Sequence, residues 1–83
     1  MSALETYAIQ ALTTKGTVHM AAIQSLRKYI NLCSELELEL AINRITDLDI
    51  LRTLIEAGMR GNLHKVTVSR INMLIKTKEE ATK

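Results

Sequence analysis

Apolar residues fall at positions 18, 22, 26, 29, 33, 36 and 40 of this 83-residue chain. Steps of three and four hold them on one side of an α-helix over many turns, whereas a half-buried strand would need steps of two. The rest of the composition agrees. Phe and Trp are absent, Tyr7 and Tyr29 are the only aromatics, and no proline is present to break a helix. A core of Leu, Ile, Ala and Met suits helix-on-helix packing, because straight-chain side chains lose little rotamer freedom in a helix and alanine packs closely. The expectation is an all-α fold of four or five short antiparallel helices, helical-repeat-like or a plain bundle, in one domain over residues 1–83.

Helix starts are written into three short stretches. Ser2-Ala3-Leu4-Glu5 is a capping box, in which a serine oxygen and a glutamate carboxylate satisfy N–H groups that a first turn leaves unpaired. It predicts a helix from about Ala3 to Thr13 with Leu4, Tyr7 or Ala8, Ala11 and Leu12 inward. Gly16 is placed to close that helix in the left-handed conformation, after which Thr17 can cap the next. The stripe from Val18 could run as one helix to Arg44. Ser34-Glu35-Leu36-Glu37 is a second box, however, and with Asn31 it offers the backbone other hydrogen bonds, so a break at residues 31–34 is preferred. Thr46-Asp47-Leu48-Asp49 resembles a third box and starts a helix from Asp47 to Ala57, with Leu48, Leu51, Leu54 and Ile55 inward and Gly58 and Gly61 flanking its end. Residues Leu63 to Thr77 are read as helix. Lys65-Val66-Thr67-Val68-Ser69 alternates like a strand, but a lone strand would lack a pairing partner.

A six-residue pattern occurs three times, as Ala21-Ala22-Ile23-Gln24-Ser25-Leu26, Leu40-Ala41-Ile42-Asn43-Arg44-Ile45 and Val66-Thr67-Val68-Ser69-Arg70-Ile71. The copies are 19 and 26 residues apart, near the period of short helical repeats that stack their apolar faces. Residues 47–76 resemble HEAT and related repeats, with Asp49 to Ile55 as a first helix and Val66 to Leu74 as a second; Val18 to Leu26 is similar to that second helix, its Ala21-Ala22 pair allowing close approach. The spacing is uneven and no proline marks the turns. The resemblance implies a protein-binding module, since such repeats bind other proteins far more often than they catalyse and only a minority track nucleic-acid backbones.

A chain of this length buries only roughly 60 to 65% of the surface its unfolded form exposes. Small cores are usually reinforced by disulfides, a structural metal or association. Cys33 has no second cysteine, and Cys33, His19 and His64 are too few and wrongly spaced for zinc. Self-association or a partner is what remains. The net charge is only +2 but is unevenly spread. Residues 1–34 carry +2, residues 35–58 carry −4 with six acids, and residues 59–83 carry +4 with six basic groups. That alternation favours contact between unlike segments of two copies, or a basic end presented to an acidic partner; the ordinary alternative is a set of solvated helix faces. No stretch approaches the roughly 20 apolar residues of a membrane span and the N-terminus lacks a secretory pattern, so no membrane association and a cytoplasmic location are expected.

Residue by residue, the chemistry points to binding. His19 and His64 read as surface histidines, Cys33 as a small core residue beside Tyr29 and Leu36, and Glu35, Glu37 and Glu39 as an exposed acidic face, because residues two apart on a helix do not converge. No catalytic residue, cofactor or metal ligand is assigned. The expected function is a non-enzymatic protein–protein interaction or regulatory module that self-associates, with Arg60, Lys65, Arg70 and Lys76 as contact residues. The alternative is a DNA- or RNA-binding regulator using a helix-turn-helix-like segment at 55–78, with Thr67, Ser69, Arg70 and Asn72 reading bases and Lys65, Lys76 and Lys78 neutralising phosphates.

Overall fold

Three of the five helices begin at a side chain that satisfies their first free N–H groups. The computed structural model describes residues 2–81, in which the helices are α1 (Ala3–Leu12), α2 (Gly16–Leu32), α3 (Glu35–Ile42), α4 (Leu48–Glu56) and α5 (Gly61–Ala81), with no strand among the described residues. Ser2 and Glu5 form the reciprocal capping box of α1. Ser34 Oγ accepts from the Glu37 N–H at 3.2 Å and opens α3. At α4 the cap is Asp47 rather than Thr46: its Oδ1 accepts from the N–H groups of Asp49 at 2.8 Å and Ile50 at 3.4 Å. A carboxylate there also complements the positive end of the helix. The expected single domain includes Met1, Thr82 and Lys83, which lie outside the described residues.

The break expected at residues 31–34 is present. Cys33 and Ser34 both take extended backbone angles (φ −88°, ψ 151° and φ −71°, ψ 154°), so α3 starts on a new axis. The left-handed glycine at 16 is also present (φ +65°), but it opens α2 instead of closing α1. The last carbonyls of α1 are taken by threonine hydroxyls, Thr13 Oγ1 donating to Ile9 O and Thr14 Oγ1 to Gln10 O, each at 2.9 Å. Thr17 therefore lies inside α2 and caps nothing. Gly58 follows the last turn of α4 with φ +102°, a conformation L side chains rarely adopt; a Cβ there would meet Arg27 Nε at an ordinary 3.6 Å, so the backbone angle and not the space selects glycine. The strand-like run Lys65 to Ser69 is helical throughout.

α1 packs between α2 and α4, and α5 packs between α4 and α3. The spatial order is thus α2, α1, α4, α5, α3. Leu4 and Ala8 of α1, Leu26 and Ile30 of α2, Leu38 and Ile42 of α3 and Ile50, Leu51 and Leu54 of α4 form one core, and the turns add Ile45, Ala57 and Met59. The alanines buried completely at close helix approach are Ala8, Ala11 and Ala57, while Ala21 is exposed and Ala22 half-buried. The three copies of the six-residue pattern occupy unlike settings: the middle of α2, the end of α3 running into a turn, and the middle of α5. The two tyrosines stack, their ring centroids 5.0 Å apart and the planes 26° apart, tying α1 to α2. Such a pair adds about 0.5 to 1.5 kcal/mol beyond its buried area.

Two arginines fasten turns across the bundle. Arg27 of α2 donates its Nε–H to the Ala57 carbonyl at 2.8 Å, and Arg70 of α5 donates its Nε–H to the Ile45 carbonyl at 2.9 Å. Carbonyls at helix ends and turns have no partner within their own helix, and a guanidinium supplies one with a charge suited to that end.

Candidate interaction surface

The solvent side of α3 carries two of the four exposed leucines among the described residues, and it lies beside a lysine-bearing face of α5. α3 reads Glu-Leu-Glu-Leu-Glu-Leu-Ala-Ile. Leu38 and Ile42 face the core, and residues two apart on a helix differ by about 200° in direction. Leu36 and Leu40 consequently lie opposite them and are 66% and 54% exposed, with Leu32, at the end of α2, 87% exposed. The stripe from Val18 placed Leu36 and Leu40 inward. That assignment carried the phase of α2 across the extended residues Cys33 and Ser34, where the helix axis changes. An ordinary surface helix has one apolar stripe, as α4 does with Ile50, Leu51 and Leu54 inward, whereas a helix apolar on opposite sides is one that expects cover on both. The repeated Leu at every second position was the available signal.

Of the basic residues singled out, Lys65 and Lys76 lie exposed on one face of α5, together with Ser69 and Asn72. Eleven residues of helix put those two lysines about 16 Å apart. Arg60 is exposed in the turn before α5, and Arg70 is half-buried and engaged with Ile45 O. The four are therefore not one patch. Of the residues proposed to read bases, Thr67 is fully buried, its Oγ1 donating to Leu63 O at 2.7 Å, and Arg70 is turned inward; Ser69 and Asn72 remain on the surface. A crevice of about 330 Å³ between α3 and α5 is lined by Glu39, Asn43, Lys65, Val66 and Ser69. It sets the acidic leucine face of α3 beside the basic face of α5. Among the described residues, Glu35, Glu37, Glu39, Lys65 and Lys76 form no ion pair.

His19 meets a carboxylate contributed by a distant segment. Its Nδ1 lies 2.6 Å from Ala11 O at the end of α1 and its Nε2 lies 3.3 Å from Glu56 Oε1 at the end of α4. Both partners can only accept, so the imidazolium satisfies both while the neutral ring satisfies one. The pKa of His19 is raised accordingly, first by the hydrogen bond to Ala11 and then by Glu56, with desolvation opposing. Among the described residues, the other charged side chain lining the shallow crevice around it is Arg27. Because the folded pKa exceeds the unfolded value of about 6.5, this contribution to stability is complete below that value and is lost as pH rises through the folded pKa. Thermal melting followed from pH 5 to 9 should show a decline across that window in the parent and a flatter profile in His19→Gln; identical profiles would mean that His19 does not link α1, α2 and α4 through these two acceptors. Cys33 packs half-buried against the core beside Tyr29, whose hydroxyl is pushed up in pKa mainly by the neighbouring Cys33 thiol and then by desolvation. His64 is exposed on α5.

No helix among the described residues is long and apolar enough to cross a membrane. No protein-family pattern, characterised protein or solved structure matches this chain.

Proposed function

We propose that this chain is a small, non-enzymatic, cytoplasmic protein–protein interaction module that works through self-association. The single observation that carries the reading is α3, a helix with leucines on both its core side and its solvent side. Solvent-exposed leucine bounded by polar groups is the composition of a docking patch, in which apolar burial provides affinity and the charged rim sets register and encounter rate. The HEAT-like pairing of residues 49–55 with 66–74 is consistent with α4 and α5, which pack together, and belongs to the same proposal. Sedimentation equilibrium at micromolar to millimolar concentration tests it: a dimer or higher oligomer is expected, and a monomer over the whole range would remove the self-association reading.

One observation favours nucleic acid as the second reading, namely the row Lys65, Ser69, Asn72 and Lys76 on the solvent face of α5. The inward positions of Thr67 and Arg70 leave that row with two of the four expected base readers. Duplex binding at physiological salt, falling with salt by a log–log slope of about −0.9 per phosphate neutralised, would move the assignment to this alternative.

A further inference from the structure

We infer that the occupant of the leucine face of α3 is α5 of a second copy, in a two-fold dimer where each α3 lies on the other copy's α5. The inference rests on the self-association reading and adds to it the surface, the pairing and the symmetry. Three observations converge. Leu36 and Leu40 stand at the middle of the solvent face of α3 with Glu35 and Glu37 on either side. The face of α5 from Lys65 to Lys76 is of opposite charge, with Glu79 following one turn later, and Met73 at its edge is 49% exposed. Neither the three glutamates of α3 nor these two lysines find an ion-pair partner among the described residues.

Adjacency supplies the symmetry. α3 packs on α5 within one copy, and the crevice between them, lined by Glu39, Asn43, Lys65, Val66 and Ser69, keeps the two solvent faces side by side. A two-fold axis through such a surface brings α3 onto the partner's α5 and α5 onto the partner's α3 at once, which is the self-complementary arrangement closed dimers use. The leucines then bury against Met73 and the aliphatic stems of the lysines, whose ammonium groups reach the flanking glutamates. Pairing α3 with the partner's α3 would instead oppose glutamates to glutamates. An anionic lipid surface would meet the same three carboxylates.

The experiment is a charge exchange read by sedimentation and native mass spectrometry on the full chain. Variant one carries Glu35→Lys and Glu37→Lys; variant two carries Lys65→Glu and Lys76→Glu. Each alone opposes like charges at both halves of the dimer and should be monomeric where the parent is dimeric, while their mixture restores opposite charges at both halves and should form the mixed dimer. Leu36→Gln with Leu40→Gln, both at solvent positions, should weaken the parent dimer by at least about 100-fold with helicity retained. A parent dimer unaffected by the leucine variant overturns this interface and leaves self-association standing. Loss of the dimer in both charge variants without recovery on mixing overturns the α3-to-α5 pairing. A parent that never associates overturns the earlier reading and this one with it. Should the first charge variant unfold because lysines now occupy the first turn of α3, the second variant must still lose its dimer, and the parent dimer must weaken with added salt; failure of either overturns the pairing.

Discussion

Leu51→Ala is expected to lower the stability of the fold by about 2 to 5 kcal/mol. Leu51 is fully buried on α4, the helix that lies between α1 and α5, so no neighbouring element can collapse into the space without disturbing two helix contacts. For a domain of this size, total stability is of the order of 5 to 10 kcal/mol, and a loss of that magnitude removes a large share of it. Urea denaturation at fixed protein concentration measures it, because a dimer's apparent stability depends on concentration. The midpoint should fall with the slope unchanged. Leu36→Ala, an equally large truncation on the solvent side of α3, should change the stability of the monomer by less than about 0.5 kcal/mol. A Leu51 variant that unfolds like the Leu36 variant would mean that α4 is not the centre of the core.

The contrast between those two leucines marks what could be read from the residues alone. Information within one turn of helix was legible: Ser2 with Glu5, Ser34 with Glu37 and Asp47 with Asp49 are contacts spanning two or three positions, and each starts a helix where the sequence placed one. The all-α class followed from the same local signals. Phase was legible only as far as an axis continued. The core face of α2 runs through Leu26 and Ile30, and counting onward in threes and fours is valid until Cys33 leaves the helical conformation. After that point the count restarts, which is why Leu38 and Ile42 go inward while Leu36 and Leu40 go out. Val18 departs without any break, since it shares the axis of Leu26 and is still 61% exposed, the neighbouring His19 reaching Ala11 O and Glu56.

Contacts between distant positions left no local trace. His19 meets Glu56, Arg27 meets Ala57 and Arg70 meets Ile45 across separations of 37, 30 and 25 residues. Nothing in a hydrophobic period or a capping signal reports which helix a polar tip will reach. The same blindness affected the charge argument. Segment totals identified an acidic middle and a basic end, but only the fold distinguishes a lysine free on a surface from an arginine already committed to a carbonyl.

Arg70 carries that distinction to a measurable result. Its Nε–H is the donor to Ile45 O, and Ile45 is almost completely buried in the turn between α3 and α4. Arg70→Ala removes a charged donor and strands a carbonyl in a place poor in water, a loss of about 1 to 3 kcal/mol, toward the lower end because the half-buried site admits some solvent after truncation. Lys65→Ala removes an exposed charge without a described partner and should leave folding within about 0.5 kcal/mol. Association should respond in the reverse order, Lys65→Ala weakening the dimer at concentrations where the Arg70 variant, still folded at low temperature, retains it. Paired melting and sedimentation measurements on the two variants separate the roles. If Arg70→Ala melts with the parent and loses the dimer as Lys65→Ala does, the guanidinium belongs to the contact surface and the turn at Ile45 is held by the apolar core alone.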